Sequence, residues 1–476
     1  MKLYNTMSRQ LEELAPINPP IVTIYSCGPT VYDEPHVGNW SAYVYWDVLV
    51  RTLQLNKFEV KRIINLTDVG HLVSDSDEGE DKLARQADRE KTTAWEIADK
   101  YIESFMSGFR QLNLVEPMRF ARATDFIPEQ LEIVRQLKSL GLTYQISDGI
   151  YFNTAKLPDY GKLARLNLEG LQAGARIEYN KEKINPTDFA LWKFSQDKRD
   201  MEWETPNDLL DQPAAEPVLG FPGWHLECSA IIHSLLGEEI DIHTGGIDHI
   251  PVHHTNEIAQ MEPITQKQTA RIWLHNNHLK VDGTKISKSL GNGYTLADLA
   301  KRGFSPIDFR LLILQSHFQS EGNFSFDNLE AAANRLKNWR KIADIRHQLY
   351  QQNSANPGNL LASKKHLLGI VSDNLNTPQT LTEIDQIFNQ LEELNPDQID
   401  RTALVDLLEF IDELLGLDLV KRSPDISDED KKLIKQREYH RTNKDYKKSD
   451  AIRNQLARRG ILLDDKPSDR TLWFYA

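Results

Sequence analysis

A cysteine, a histidine and an asparagine stand close together near the amino end, in the stretch IVTIYSCGPTVYDEPHVGN at residues 21–39. Cys27 ends a β-branched, aromatic run, a Gly-Pro-Thr turn follows, and His36-Val37-Gly38-Asn39 lies where a helix begins. In parallel α/β sheets, ligands bind beyond the carboxyl ends of the strands, where a helix N-terminus offers unpaired N–H groups to phosphate. Cys27 and His36 are therefore expected to share the mouth of a nucleotide site. Far along the chain, Lys285-Ile286-Ser287-Lys288-Ser289, followed by Leu290-Gly291-Asn292, sets two lysines three apart among small hydroxyl residues and glycine. Such a cationic loop suits a polyphosphate. Taken singly, the histidine turn recurs by chance and the lysine loop reads equally well as an exposed turn. Together they point to nucleotide chemistry.

The chain has only two cysteines, Cys27 and Cys228. A disulfide between them is disfavoured in a reducing compartment, and a lone cysteine commonly packs as a small hydrophobe. Both, however, lie in polar surroundings rich in glycine and histidine, which brings a metal into consideration.

The elements that must position these residues follow from periodicity. Residues 21–25 read as a strand, 40–55 as an apolar helix and 58–66 as a second strand, a βαβ unit of a parallel sheet. Residues 92–114 have the spacing of an amphipathic helix capped by Thr92 or Thr93. The acidic run at 74–81 has its glycine one position too early for a calcium loop and reads as solvated. From 113 to 220 the βαβ rhythm lapses into a helix at 128–140, short strands around Asp148-Gly149 and a Pro- and Asp-rich stretch, as expected of an insertion. Strand character returns at 240–244 and 272–281. Beyond 323 the pattern is helical, at 329–350, 366–373, 381–394 and 402–415, a helical bundle. Ser423-Pro424 then opens a last module.

With 476 residues, 40% apolar and 26% charged, the chain is an ordinary multidomain protein. No run of eighteen apolar residues excludes a soluble reading, the amino end is too polar for a secretion signal, and a cytoplasmic protein with no membrane contact is expected. The net charge of −14 argues against general nucleic-acid binding. Residues 431–460 nevertheless carry eleven Lys and Arg against three Asp and Glu, so a basic module sits on an acidic body. From charge alone a solvated helical face explains it equally well.

The runs CGPTVYD (27–33), GFPGWHLECSA (220–230), DIHTGGIDHIPVHHTNEIAQ (241–260), KISKSLGN (285–292), DNLNTP (373–378) and KDYKKSDAIRNQLARRGILLDD (444–465) resemble those of cysteinyl-tRNA synthetases, a family of class I aminoacyl-tRNA synthetases. The resemblance runs from end to end. It implies an α/β fold: a Rossmann-type catalytic domain (1–112 and 221–282) split by a connective insertion (113–220). A loop and stem-contact region (283–328), an all-α tRNA-binding bundle (329–422) and a small basic anticodon-recognition module (423–476) would follow.

The resemblance also implies activation of L-cysteine by ATP with Mg²⁺, release of pyrophosphate, and transfer of the cysteinyl group to the terminal ribose of tRNA(Cys), by a monomer. His36, Gly38 and Asn39 would meet the ATP phosphates, and Lys285 and Lys288 the charge on the leaving pyrophosphate. Gly28, Thr30, Thr67, Trp224, His243 and Asp248 would line the amino-acid site, with Asp248 pairing the ammonium group. One zinc ion per chain would be held by Cys27, Cys228, His253 and Glu257. Two thiolates with a histidine and a glutamate four apart on one helical face make a set that favours zinc. His254 would serve by type, but only His253 stands four residues before Glu257. Zinc explains selection, because a pocket reading shape alone rejects the serine isostere by a modest factor, whereas zinc takes a thiolate tightly and a hydroxyl poorly.

Two departures accompany the resemblance. The first motif ends in Asn39, where many class I enzymes have His, leaving a donor without charge and room for a modest rate cost. After Asn65-Leu66-Thr67-Asp68 the chain reads VGHLVSDSDEGEDK, where many relatives continue Ile-Asp-Asp-Lys, so the local loop differs and with it the setting of Thr67. Two further readings are a ligase joining cysteine to a small amine, which retention of 444–465 disfavours, and an inactive tRNA-binding paralogue, which the intact motifs disfavour.

Overall fold

The computed structural model describes residues 1–69, 81–165, 180–287, 290–349, 358–394, 396–465 and 471–476. Lys288 and residues 74–80 of the acidic run lie outside the described residues. The chain forms two units, Met1–Leu296 with Phe318–Asn323, and Ala297–His317 with Phe324–Ala476.

The first unit is built on a five-stranded sheet, ordered Ala270–Asn276, Ile240–Gly246, Ile21–Ser26, Glu59–Leu66, Arg119–Arg122, with every pairing parallel. The chain enters at the central strand Ile21–Ser26, adds two strands on one side and, after the insertion, two on the other. The order reverses between Ile21–Ser26 and Ile240–Gly246, and that point is where the α/β topology opens a crevice. Asp241 pins the junction from below: its buried carboxylate accepts from Thr23 N and Oγ1, both at 2.8 Å, and from Ile17 N at 2.6 Å.

The strand Arg119–Arg122 corrects the expected start of the insertion at 113. It lies at the edge of the parallel sheet, with Ala121 in the core on one face and Phe120 packed on Phe105 and Phe109 on the other. The sequence RFAR carries no apolar run, so nothing in it announced a strand. The insertion has its own antiparallel sheet, ordered Thr143–Ile146, Gly149–Phe152, Phe189–Phe194, Leu219–Pro222, Trp203–Glu204. Its core of Val134, Leu137, Phe152, Leu191 and Trp192 is continuous with Leu226 and Ala230 of the helix Trp224–Leu235. The strand expected over 272–281 is broken at Asn276 and resumes as Leu279–Val281, which pairs with Thr284–Lys285 in a hairpin.

In the second unit the four expected helices are Phe326–Ile345, Gly358–Val371, Thr377–Glu393 and Arg401–Leu415. Leu336, Trp339, Ile384, Phe388, Leu407 and Ile411 are among its buried residues. The last module pairs helices Asp428–Thr442 and Tyr446–Arg458 with a hairpin, Ile461–Asp465 and Thr471–Tyr475, over Ile434, Leu456, Leu463 and Trp473. Much of its positive charge is spent internally: Arg437 and Arg441 hold Asp465, Arg459 holds Glu429 and Asp430, Lys431 holds Asp425, and Lys448 holds Asp445. Among the described residues no helix is long and apolar enough to cross a membrane.

Candidate active site and metal centre

The turn after the central strand is stitched to the next strand. Gly28 N donates to Asn65 Oδ1 at 2.6 Å, Val31 N to Thr67 O at 3.1 Å, and Thr67 N to Pro29 O at 3.0 Å. Asn65 Nδ2 donates to Thr67 Oγ1 at 3.0 Å. Only glycine fits at 28, because a Cβ there would meet the Asn65 carbonyl oxygen at 1.6 Å. The stitch sets Cys27, Gly28, Thr30 and Thr67 along one wall.

The helix Val37–Leu55 begins three residues before the apolar run suggested, because His36 is its cap. His36 Nδ1 accepts from Asn39 N at 3.2 Å while Asn39 Oδ1 accepts from His36 N at 3.0 Å, a reciprocal capping box. Val37 N donates to Tyr294 O at 2.8 Å, and Ile286 Cδ1 packs so closely on Gly38 that an added Cβ would lie 2.8 Å from it. The two signature motifs therefore meet. Asn292 staples the second one, its Oδ1 accepting from Ser287 N at 2.9 Å and its Nδ2 donating to Lys285 O at 3.2 Å.

Below the turn, donor atoms of Cys27, Cys228, His253 and Glu257 all lie within 4.8 Å of one another. A tetrahedral zinc ion holds its donors roughly 3.3–3.8 Å apart, so a contraction of at most about 1.5 Å across the widest pair closes the set on one ion. A second group, Cys27, His243, His254 and Glu257, meets the same distance and shares two members with the first. Around both runs a buried histidine network. His253 Nε2 lies 3.4 Å from Cys228 Sγ, His225 Nδ1 2.9 Å from His253 Nδ1, His243 Nε2 2.7 Å from Glu257 Oε2, and His254 joins Cys27 Sγ at 3.2 Å to His275 at 2.7 Å. A cavity of about 770 Å³ opens above, lined by Cys27, Gly28, Thr30, His36, Gly38, Asn39, Thr67, Trp224, Asp248, His253 and Lys285.

Residues 13–334 match the family of tRNA synthetases class I (C) catalytic domains, and residues 423–473 the cysteinyl-tRNA ligase anticodon binding domain. The cysteine-tRNA ligase of Treponema denticola is 37% identical over 502 residues, covering 99% of both chains, and cysteine-tRNA ligase 1 of Burkholderia lata is 38% identical over 479 residues, covering 99% of this chain and 97% of that one. The chain belongs to the cysteine-tRNA ligase family. Methionyl-tRNA synthetase of Mycobacterium tuberculosis, solved with methionyl-adenylate, is similar in fold at 14% identity, with a TM-score of 0.60 over 84% of this chain and 92% of that one.

For this cysteine-tRNA ligase family member, eleven of the fifteen residues singled out in the sequence line one cavity. Cys228 and Glu257 lie buried beneath it. His243 is fully buried, bonded to Glu257 and stacked on Trp273 at 4.5 Å, rather than facing the cavity. Lys288 is outside the described residues. Sequence reasoning missed Asn65, Tyr32, Lys82 and the outer histidines; the density of histidine in 241–254 was the available signal for the last of these.

The donor set fits a zinc ion. Burial pushes both thiols up, far for Cys228, and burial also opposes the charge of Glu257, yet His243 and His253 on either side hold that carboxylate below its usual range. Left to themselves these groups keep neutral thiols beside a charged imidazole. His253 shows it: burial works against its charge, but Cys228 and Glu257 bring it up to about 10. A divalent cation reverses that order, taking thiolates and a neutral imidazole. Glu257 Oε1 sits 2.9 Å from His253 Nε2 without hydrogen-bond geometry, and His243 Nδ1 and His249 Nδ1 have no hydrogen-bond partner among the described residues. The first group, with two sulfurs, suits zinc better than the second, with one.

Proposed function

We propose that this chain activates L-cysteine with ATP and Mg²⁺, forming cysteinyl-adenylate and pyrophosphate, and transfers cysteine to the terminal ribose of tRNA(Cys). The observation that carries the reading is the clustering of two thiols, an imidazole and a carboxylate directly under the cavity into which the capped helix points. Zinc held by Cys27, Cys228, His253 and Glu257 would supply coordination that accepts the substrate thiolate and discriminates against a hydroxyl.

The rest is positioning and charge neutralisation. Since His36 Nδ1 accepts from the helix backbone, the neutral ring carries its proton on Nε2, the donor for a phosphate oxygen. Asn39 spends Oδ1 on the cap and keeps its amide N–H₂ for phosphate. Lys285 and Lys288 would meet the leaving pyrophosphate, and Asp248, at the cavity rim, the substrate ammonium. The module at 423–476 would recognise the anticodon, which weighs against a small amine as acceptor.

The test is zinc content together with cysteine-dependent ATP–pyrophosphate exchange for the parent, Cys228→Ser, His253→Ala and His254→Ala. About one zinc per chain is expected, with metal and exchange lost in the first two variants and metal retained in the third. An active, zinc-free parent would sink the account of thiol selection, and a parent without exchange would sink the ligase reading.

A further inference from the structure

The connection that departs from the family pattern delivers a lysine to the cavity. Lys82 opens the helix Lys82–Glu90, is half-buried, and lines the same cavity as His36 and Lys285. Its Nζ stands 5.5 Å from the ring centre of Tyr32, another cavity residue.

Its placement is held from both sides. Asp81 caps the helix, its carboxylate accepting from Leu83 N at 2.8 Å and Ala84 N at 3.3 Å, while Leu83 and Ala87 are buried. Arg199 of the insertion closes on the same carboxylate and lies over Phe221, its Cζ 3.8 Å from the ring centre. The next residue, Asp200, accepts from Ala94 N at 2.9 Å, and its carbonyl accepts from Trp95 Nε1 at 3.1 Å. Two adjacent residues of the insertion thus fasten the starts of both helices that follow the divergent connection.

The charge on the cavity wall shows what this arrangement serves. Its described lining includes three carboxylates, Asp33, Glu34 and Asp248, and only two lysines, Lys82 and Lys285. A polyanion entering such a wall is repelled unless each cation bears on it.

We infer that Lys82 binds a phosphate oxygen of the substrate, with Arg199 and Asp81 as the positioning pair; this rests on the ATP-dependent reading above. The oxyanion belongs to ATP or to the terminal phosphodiester of the tRNA, and the same chemistry serves either. The test uses the full-length zinc-loaded protein with Lys82→Gln, Lys82→Arg and Arg199→Met, reading cysteine-dependent exchange at varied ATP, single-turnover transfer from preformed adenylate to tRNA, zinc content and thermal melting.

Loss of one charge-assisted contact is expected to lower kcat/KM for ATP about tenfold or more in Lys82→Gln. Most of it should return in Lys82→Arg, with zinc and melting unchanged. Arg199→Met should raise KM for ATP more than it lowers kcat. Intact exchange with the same loss in transfer assigns the phosphate to tRNA. If both steps in Lys82→Gln stay within twofold of an active parent, the inference is overturned while the ligase reading stands; an inactive parent overturns the reading beneath it.

Discussion

Replacing Gly28 by alanine forces two backbones apart. The added Cβ would sit 1.6 Å from the Asn65 carbonyl oxygen, where real contacts do not fall below 3.0 Å, so the seam must open by at least 1.4 Å. Asn65 has no room to retreat freely, since its strand is paired on the far side with Arg119–Arg122. Three hydrogen bonds cross the seam, from Gly28 N, Val31 N and Thr67 N. At about 1 kcal/mol each their loss costs about 3 kcal/mol, which a fold stable by roughly 5–15 kcal/mol survives. The melting midpoint should fall by roughly 5 °C. The larger effect is on function, because the displacement is passed to Cys27 on one side and Thr30 on the other. A shift of about 1 Å at reacting groups costs on the order of 100-fold in rate. The assay is cysteine-dependent exchange with zinc content on the same folded sample, and Gly369→Ala, where a Cβ meets nothing within 4 Å, is the control. A Gly28→Ala protein that keeps the parental exchange rate and zinc content would refute the idea that this seam holds the site.

Two further outcomes test the second unit. Asp344, 1% exposed, accepts from Tyr475 N at 3.1 Å, and burial raises its pKa from 3.8 to about 6. The fold prefers the acid form, so its contribution is complete below about pH 4 and is lost as pH rises through about 6. The ionised form then costs about 1–2 kcal/mol after allowing for solvent screening. Asp344→Asn should therefore raise the melting midpoint at pH 7.5 and not at pH 4; equal shifts at both would show that the charge is not the cause. Arg437, almost fully buried, holds Asp465 through two 2.7 Å bonds. Arg437→Met should destabilise the last module by about 2–3 kcal/mol, lowering aminoacylation of tRNA while leaving exchange intact; a parallel fall in exchange would contradict a role confined to that module.

The strand, turn and helix around Cys27 and His36 were legible because a β-branched run, a Gly-Pro turn and a helix start are local signals. The donor set was expected from the family resemblance, and the scarcity of cysteine and the i, i+4 relation of His253 and Glu257 agreed with it. That spacing cannot rank His253 against His254 once both are folded into one buried network with Cys27 and Glu257 as shared members. Arg119–Arg122 stayed hidden because a four-residue edge strand with an arginine at each end presents no apolar run. The helix starts at Val37, within the expected His36–Asn39 turn, but its apolar pattern shows only from Trp40 because the first turn is given over to the cap that His36 and Asn39 form. The basic module looked more cationic than it is, since ion pairs such as Arg437–Asp465 join residues far apart in sequence. Lys82 was beyond reach for the same reason: its partners at the cavity and in the insertion are set by tertiary contact.

The donor cluster is assembled from residues 27, 228, 253 and 257, and the strand bearing the first pairs with one that starts at residue 240. On a ribosome adding roughly 5–20 residues per second, about 10–50 s separate the emergence of Cys27 from that of Glu257. During that interval the nascent chain owns a thiol but no site. The proposed metal would therefore be taken late, once the catalytic sheet has brought the four donors together. A chain cut short before residue 257 lacks Glu257 and so has an incomplete donor set.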